Sequence, residues 1–418
     1  MMKVNYRRCI SAAVTLLFFE LSELDRCFGQ YYVIQDLGTP TNSGYSDPHG
    51  INGGGAVAGE WSDAAFQRGF LYRNSLASDT GTLGGQYAIA YGINDQNVVV
   101  GESSKVGGGS FDVHAFLWTN GVMNDLGTLA GSYSSAKSVN ASGEAVGESS
   151  TSIVVNSPTH AVWYHGGMKT DLGMLGGDYS SARGINDNHV IVGETSVVNG
   201  SVTNVHAFIY SSGTMQDLGT LGGNYSTASA INNAGKIVGE SSVATGDTHA
   251  FVYTSGAMLD LGTLGGNYST ASAINTAGLV VGYAFTASGE AHGFLFNGTA
   301  MLDLNSMFSG GSVCTNLISA DGINDAGQIT GSGFTAAGVY HAFLLTPGLE
   351  LFQPLVTNGQ FRITVSGTPG QKFAMLASTD LQTWISLGTN TFSANTFEWT
   401  DPSGAAMASR FYRAMLVP

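Results

Sequence analysis

One position in a repeated segment of this chain changes its chemistry nearly every time it recurs, reading His49, Tyr91, Lys137, Arg183, Ser229, Ser272 and Asp321. Two residues earlier stand Asp47, Ile89, Ser135, Ser181, Thr227, Thr270 and Ser319. Asp47, His49 and Asp321 offer oxygen and imidazole donors. Together they could hold a divalent cation, with calcium the candidate, or activate a water, His49 and Asp321 then serving as acid and base. Lys137 and Arg183 could orient a carbonyl or carboxylate, with Tyr91, Tyr45 and Tyr87 completing a ligand-binding set. A solvated channel without a ligand fits the same residues, because no spacing among them is diagnostic in the way a Cys-x-x-Cys pair is for zinc.

Other residues recur unchanged. His114, His160, His206, His249, His292 and His341 each open a HAF-like strand, and Glu102, Glu148, Glu194 and Glu240 end the strand before it. Joined by one hairpin, Glu and His are expected to be cross-strand neighbours in four copies, with Gly69 standing for His in the first copy. A ring of acid/base or metal pairs is one reading. Scaffolding is the other and the better one, since a catalytic site is built once whereas a contact repeated copy after copy holds each copy together. The recurring Asn52, Asn94, Asn140, Asn186, Asn232, Asn275 and Asn324 read as turn residues bonding their own backbone. Seven residues before the Asn, Tyr45, Tyr87, Tyr133, Tyr179, Tyr225 and Tyr268 either pack a seam between copies or ring a mouth suited to stacking on a small molecule or glycan.

The scaffold is read from the Asp of a DLG element at Asp36, Asp79, Asp125, Asp171, Asp217, Asp260 and Asp303, in steps of 43 or 46 residues. Such a period, with short β-patterned runs and turn signals, marks a propeller blade. Within one period the runs SxAxxIN, KIVGES, THAFVY and AMLDLG give four strands of about five residues each. A sheet this small cannot bury both faces alone, so copies must stack, and seven can close into a ring. The seventh copy stops at Leu345 without a DLG strand, while YYVIQDLG at Tyr31–Gly38 is such a strand with nothing before it. It is expected to pair as the outermost strand of the last blade. SxAxxIN is then innermost, and simple alternation turns the Tyr, the position of Asp47 and the position of His49 toward a central channel. The expected fold class is all-β: a seven-bladed β-propeller of four-stranded blades over 31–346, closed by its N-terminal strand and followed by a small β-sandwich.

Lys3, Arg7 and Arg8 precede an apolar run, Cys9–Phe19, too short to span a bilayer and suited to a secretory signal peptide over 1–30. Cys9 and Cys27 would leave with it. Cys314 then stands alone, no intrachain disulfide is expected, and the thiol reads as a buried apolar residue. After Pro347 the period stops, and 349–418 carry five strand-like runs, FRITVSG, QKFAMLAS, TWISLGT, NTFEWTD and SRFYRAMLV, the expected β-sandwich accessory module. A formal charge of −15 argues against nucleic acid as a partner and leaves cations or neutral ligands easier to accommodate.

The pieces DLGTLGG, GIN or AIN, VVGE and HAF together resemble the HAF-repeat family of predicted bacterial extracellular proteins over Tyr31–Leu345. That resemblance implies secretion but no shared reaction, because the family is defined by its repeat. ASTDLQTW and RFYRA resemble a C-terminal module of secreted proteins of environmental bacteria, which implies association with the cell surface. Two functions follow. One is a secreted propeller binding a small molecule, glycan or protein at the mouth of its channel. The other is a calcium-dependent hydrolase of small esters or lactones, by analogy with propeller lactonases that hold an axial metal. No Gly-x-Ser-x-Gly elbow supports serine catalysis and no three residues form a signature, which favours binding.

Overall fold

The computed structural model describes residues 32–40, 44–63, 66–107, 112–154, 157–200, 202–308, 313–357, 360–367, 372–379, 383–393, 396–401 and 411–417. The signal peptide expected over 1–30 lies outside them. The described residues are all-β apart from a single 3-10 turn at Leu304–Ser306, and none of their helices is long and apolar enough to cross a membrane. Two compact units divide the chain, Ile34–Leu345 and a second one that holds Thr346–Pro418.

In the first unit each copy folds as consecutive antiparallel strands. The fifth copy runs Gly222–Ile231, Ile237–Val243, Thr248–Thr254 and Ala257–Asp260. Its turns are built by residues that tolerate left-handed backbone, Gly235 at φ 78° and the Ser255-Gly256 pair at 54° and 81°. Gly239 packs so closely on the first strand that an added Cβ would lie 1.9 Å from the Thr227 carbonyl oxygen. Ala250 and Phe251 of the HAF run are wholly buried there, as Ala115 and Phe116 are in the second copy. The seventh copy breaks its first strand into Asn316–Leu317 and Gly322–Ile323, both paired with Ile329–Phe334. Its third strand, Tyr340–Pro347, takes Tyr32–Asp36 as its fourth-strand neighbour, and the Leu37 amide donates to the Ala342 carbonyl at 2.9 Å.

Register corrects the expected Glu–His contact. Ser103, not Glu102, lies opposite His114, and Glu102 lies opposite Ala115. The same holds at Ser149–His160, Thr195–His206 and Ser241–His249. Neighbouring positions on a strand face opposite sides, so the Glu and the His never meet. Each His instead turns Nδ1 to the DLG Asp of its own sheet, at 2.8 Å for His114–Asp125 and His206–Asp217 and 2.9 Å for His341–Asp36. In the first copy it is Arg68, not Gly69, that stands in the His position, opposite Trp61, and it reaches Asp79 at 3.6 Å. Arg68 and the His thus set a side-chain nitrogen against the DLG Asp from the same place.

Copies are joined by three devices. The third strand of one copy touches the first strand of the next through single parallel pairings at the Tyr, as at Val205–Tyr225 and Thr248–Tyr268. The following Ser links them again. Ser226 Oγ accepts the Ala207 amide at 2.8 Å and donates to the Gly219 carbonyl at 2.6 Å, and Ser134, Ser180, Ser269 and Ser46 receive the corresponding amides. Replacing Ser226 with Ala is expected to strand a buried N–H and a half-buried C=O and cost about 1–3 kcal/mol, read from a denaturant melt.

The third device is the recurring Asn. Its Oδ1 does cap its own turn, as expected, Asn232 accepting from the amides of Ala234 and Lys236. Its Nδ2 meanwhile crosses to the next copy. Asn52 donates to the Asn94 carbonyl, Asn94 to Asn140, Asn186 to Asn232, Asn232 to Asn275, Asn275 to Asn324, and Asn324 back to Asn52 at 3.0 Å. Asn140 alone turns its amide to the Glu144 carboxylate. Beside these amides Ile51, Ile93, Val139, Ile185, Ile231, Ile274 and Ile323 line a hollow of about 240 Å³.

The second unit has two three-stranded antiparallel sheets. One orders Glu350–Thr357, Gln360–Ser366 and Thr396–Thr400, the other Ile385–Thr391, Lys372–Ser378 and Phe411–Val417. Phe361, Val365, Phe373, Met375, Phe392, Trp399 and Tyr412 form one shared apolar cluster. Glu350–Thr357 is a sixth strand beyond the five runs expected from the sequence.

Candidate functional site

In six copies the first strand carries a β-bulge, and the bulged residue is the one whose chemistry varies. Register slips between Pro48 and Gly50, Ala90 and Gly92, Ala136 and Ser138, Ala182 and Gly184, Ala228 and Ala230, and Ala271 and Ala273. Residues 49, 91, 137, 183, 229 and 272 therefore have no partner on the second strand, and a bulge re-aims its side chain locally. In the seventh copy the strand is interrupted between Leu317 and Gly322, so Asp321 also stands outside the ladder. The variable side chains still share the face of the Tyr, as expected: Arg183 Nη2 and the Tyr179 hydroxyl both reach Glu194 Oε1, at 2.9 and 2.6 Å.

Once re-aimed, successive bulge residues meet. The His49 ring lies 5.3 Å from the Tyr91 ring, and Lys137 Nζ sits 3.8 Å over the same Tyr91 ring. Lys137 has a loose ion pair with Glu102 at 3.8 Å, and burial pulls its ammonium below the usual lysine range against the pull of Glu102 and Glu148. Arg183 donates from Nη2 to Glu194 at 2.9 Å. Burial works against both charges of that pair, but their mutual attraction prevails, raising the guanidinium and lowering the carboxyl. His49 is pushed down to about 4 by burial and by Lys137, so its ring is neutral at pH 7. Its Nε2 is shut off from solvent without a hydrogen-bond partner, as is Ser135 Oγ two residues before Lys137.

Across the seam between the seventh and first copies lies a different chemistry. Ser319 donates to Asp321 Oδ2 at 2.7 Å, Ser319 and Ser332 share a hydrogen bond at 2.7 Å, Ser332 and Tyr340 another at 2.6 Å, and the Tyr340 hydroxyl reaches Asp47 at 3.4 Å. Burial raises both carboxyls, and the Asp47 charge raises Asp321 further, well above 3.8. Two carboxyls and a hydroxyl are hard oxygen donors of the kind calcium accepts. His49 belongs instead with Tyr91 and Lys137, so the set Asp47, His49 and Asp321 divides, and among the described residues no three His, Cys, Asp or Glu side chains are placed to hold a metal.

Tyr and Glu form a belt that alternation alone did not reveal. Tyr87 donates to Glu102 at 2.5 Å, Tyr133 shares its hydroxyl between Glu102 and Glu148, and Glu240 accepts from both Tyr225 and Tyr268. Glu102 and Glu240 thus each bridge two copies. Tyr45 takes no Glu and lies edge-on to Tyr340, their rings 6.5 Å apart. The Tyr therefore build the seam between copies. The signal for the Glu was present in the sequence: register sets Glu60 opposite Asp47, Glu102 opposite Ile89 and Glu148 opposite Ser135, beside the variable position. Cys314 is buried and its thiol is pushed up to about 11 by burial, which leaves it inert as a nucleophile.

No family model and no curated protein matches the sequence. Among solved structures, TolB from Acinetobacter baumannii is similar to this chain at a TM-score of 0.40 and 10% identity, covering 70% of this chain and 63% of that one. The site as described rests on its own residues. Along the first strand of the first six copies the Tyr, the bulge residue, the Ile or Val and the Asn follow in that order. The Tyr–Glu belt and the Asn amides therefore lie on either side of the bulge residues.

Proposed function

We propose that residues 31–346 close into a seven-bladed β-propeller that binds a small polyhydroxylated molecule, a saccharide, in the axial site formed by the bulge residues. The donation from Asn324 to Asn52 supports closure, because it joins the last copy to the first with the same bond that joins the others. One observation carries the binding reading. The scaffold is repeated almost without change, yet the side chains at 49, 91, 137, 183 and 321 differ, and buried polar atoms at this variable position or two residues before it, His49 Nε2, Ser135 Oγ and Thr227 Oγ1, have no protein partner. A buried polar atom left unbonded costs free energy unless water or a ligand satisfies it, and a saccharide offers a dense set of hydroxyls that can both donate and accept.

In this reading 1–30 direct secretion, in keeping with the HAF-repeat resemblance, and 349–418 form a β-sandwich accessory module that holds the protein at the cell surface. The test is calorimetric titration of the whole secreted chain against mono- and disaccharides. Binding is expected in the wild-type chain and is weakened at least about tenfold in Tyr91→Ala, which strips the site of its aromatic face. Equal affinity in the two proteins overturns the assignment of the site.

A second reading, a calcium-dependent hydrolase of small esters or lactones, draws on the Asp47–Asp321 pair alone. It requires that calcium raise the melting temperature of the wild-type chain and not of Asp321→Asn, and that the wild-type chain turn over an ester or lactone in a chelator-sensitive way.

A further inference from the structure

We propose that the saccharide held in the axial site is acidic, with one carboxylate anchored between Lys137 and Arg183 and its hydroxyls directed to His49 Nε2 and Ser135 Oγ. This rests on the saccharide reading above and names the ligand class of the same site.

Four features of the site lead there. Lys137 and Arg183 are bulge residues of adjacent copies, near enough for the charge of Arg183 to act on Lys137. Neither is used up by the protein: Lys137 has only an ion pair at 3.8 Å and the face of Tyr91, and Arg183 spends one guanidinium nitrogen on Glu194. A guanidinium has five donors and an ammonium three, which leaves several for a guest. Like charges so placed repel each other, and an anion between them removes that repulsion while accepting charge-assisted hydrogen bonds. The polar atoms next to this pair are neutral and buried, suited to hydroxyls and not to further charge.

The surroundings restrict the guest to one negative charge. Glu60, Glu102, Glu148 and Glu194 lie one strand away from the bulge residues, and Asp47 and Asp321 lie at the seam between the first and seventh copies. A polysulfated or phosphorylated ligand would bring several charges into this field. A uronic acid brings one carboxylate, which the cation pair can neutralise, and neutral hydroxyls for the remainder.

The experiment compares galacturonate, its neutral parent galactose, and acetate by titration against the full chain. The inference expects galacturonate to bind at least about tenfold more tightly than galactose and than acetate. It further expects Arg183→Gln and Lys137→Met each to narrow the preference for galacturonate over galactose to within about twofold, whatever they do to galactose affinity itself. Arg183 is half-exposed, so its variant keeps the test alive should Lys137→Met fail to fold. Equal binding of galactose and galacturonate overturns the acidic-sugar inference and leaves the saccharide reading standing. Acetate binding as tightly as galacturonate also overturns it, because then only a carboxylate is read. Binding of neither sugar overturns both.

Discussion

Asp321→Asn is expected to make the protein more stable at pH 7, by about 1–3 kcal/mol. Asp321 is buried beside Asp47, and burial and that neighbour both raise its carboxyl well above 3.8. A carboxyl whose folded pKa is raised holds its proton longer in the folded chain than in the unfolded one. Its favourable contribution is complete below the unfolded value and is lost as pH climbs through the folded one. The wild-type chain should therefore lose stability as pH rises from about 4 toward neutrality, and the Asn variant should lose less. The amide keeps the bond to Ser319, since its carbonyl can accept where Asp321 Oδ2 now does. Thermal melts at pH 4 and pH 7 decide the matter: a gain at pH 7 that vanishes at pH 4 is the expected result, and a loss at both overturns it. Asp47→Asn should remove part of the same penalty, so the double variant should gain less than the sum of the two.

Asn324→Asp should act in the other direction and cost about 3 kcal/mol or more at pH 7. Asn324 is buried, its Nδ2 donates to the Asn52 carbonyl at 3.0 Å and to Gln328 Oε1 at 2.9 Å, and its Oδ1 accepts the Gln328 amide. A carboxylate keeps the last bond and sets a charged acceptor against the two acceptors. Burial against two acceptors raises such a carboxyl and protonation restores one donor, so part of the loss should return as pH falls from neutrality to the usual aspartate value of about 4. A denaturant titration at two pH values reads this directly. A change within about 0.5 kcal/mol would mean that the amide bridge carries little of the closure.

Much of this was legible in the residues. The seven DLG elements, the turn residues and the alternating runs placed the strands of each copy, and Tyr31–Gly38 announced the fourth strand that Tyr340–Pro347 lacks. Local pattern and turn chemistry act over a few residues, which is why they can be read along the chain. Cross-strand register is different, because it is set by bulges and hairpin lengths that leave little mark on composition. Hence Glu102 and His114, adjacent on a naive hairpin, face opposite ways, and Arg68 passed unnoticed one place before Gly69. The bulge itself was hidden behind small residues such as Ala136 and Ser138, although the variation at Lys137 pointed to it. Turn signals like that at Asn232 are common, but nothing local could show that its amide crosses to Asn275, since that bond joins residues 43 apart.

The pairing of Tyr32–Asp36 with Tyr340–Pro347 also bears on biosynthesis. Asp36 meets His341 across 305 residues of sequence, so the strand Tyr32–Asp36 must wait for nearly the whole repeat array to be translated before it finds its neighbour. Until then the nascent chain carries a bare edge at each end of the array, and each is open to a second chain offering the same DLG strand. Strand exchange between two chains during synthesis is the characteristic error such an arrangement invites.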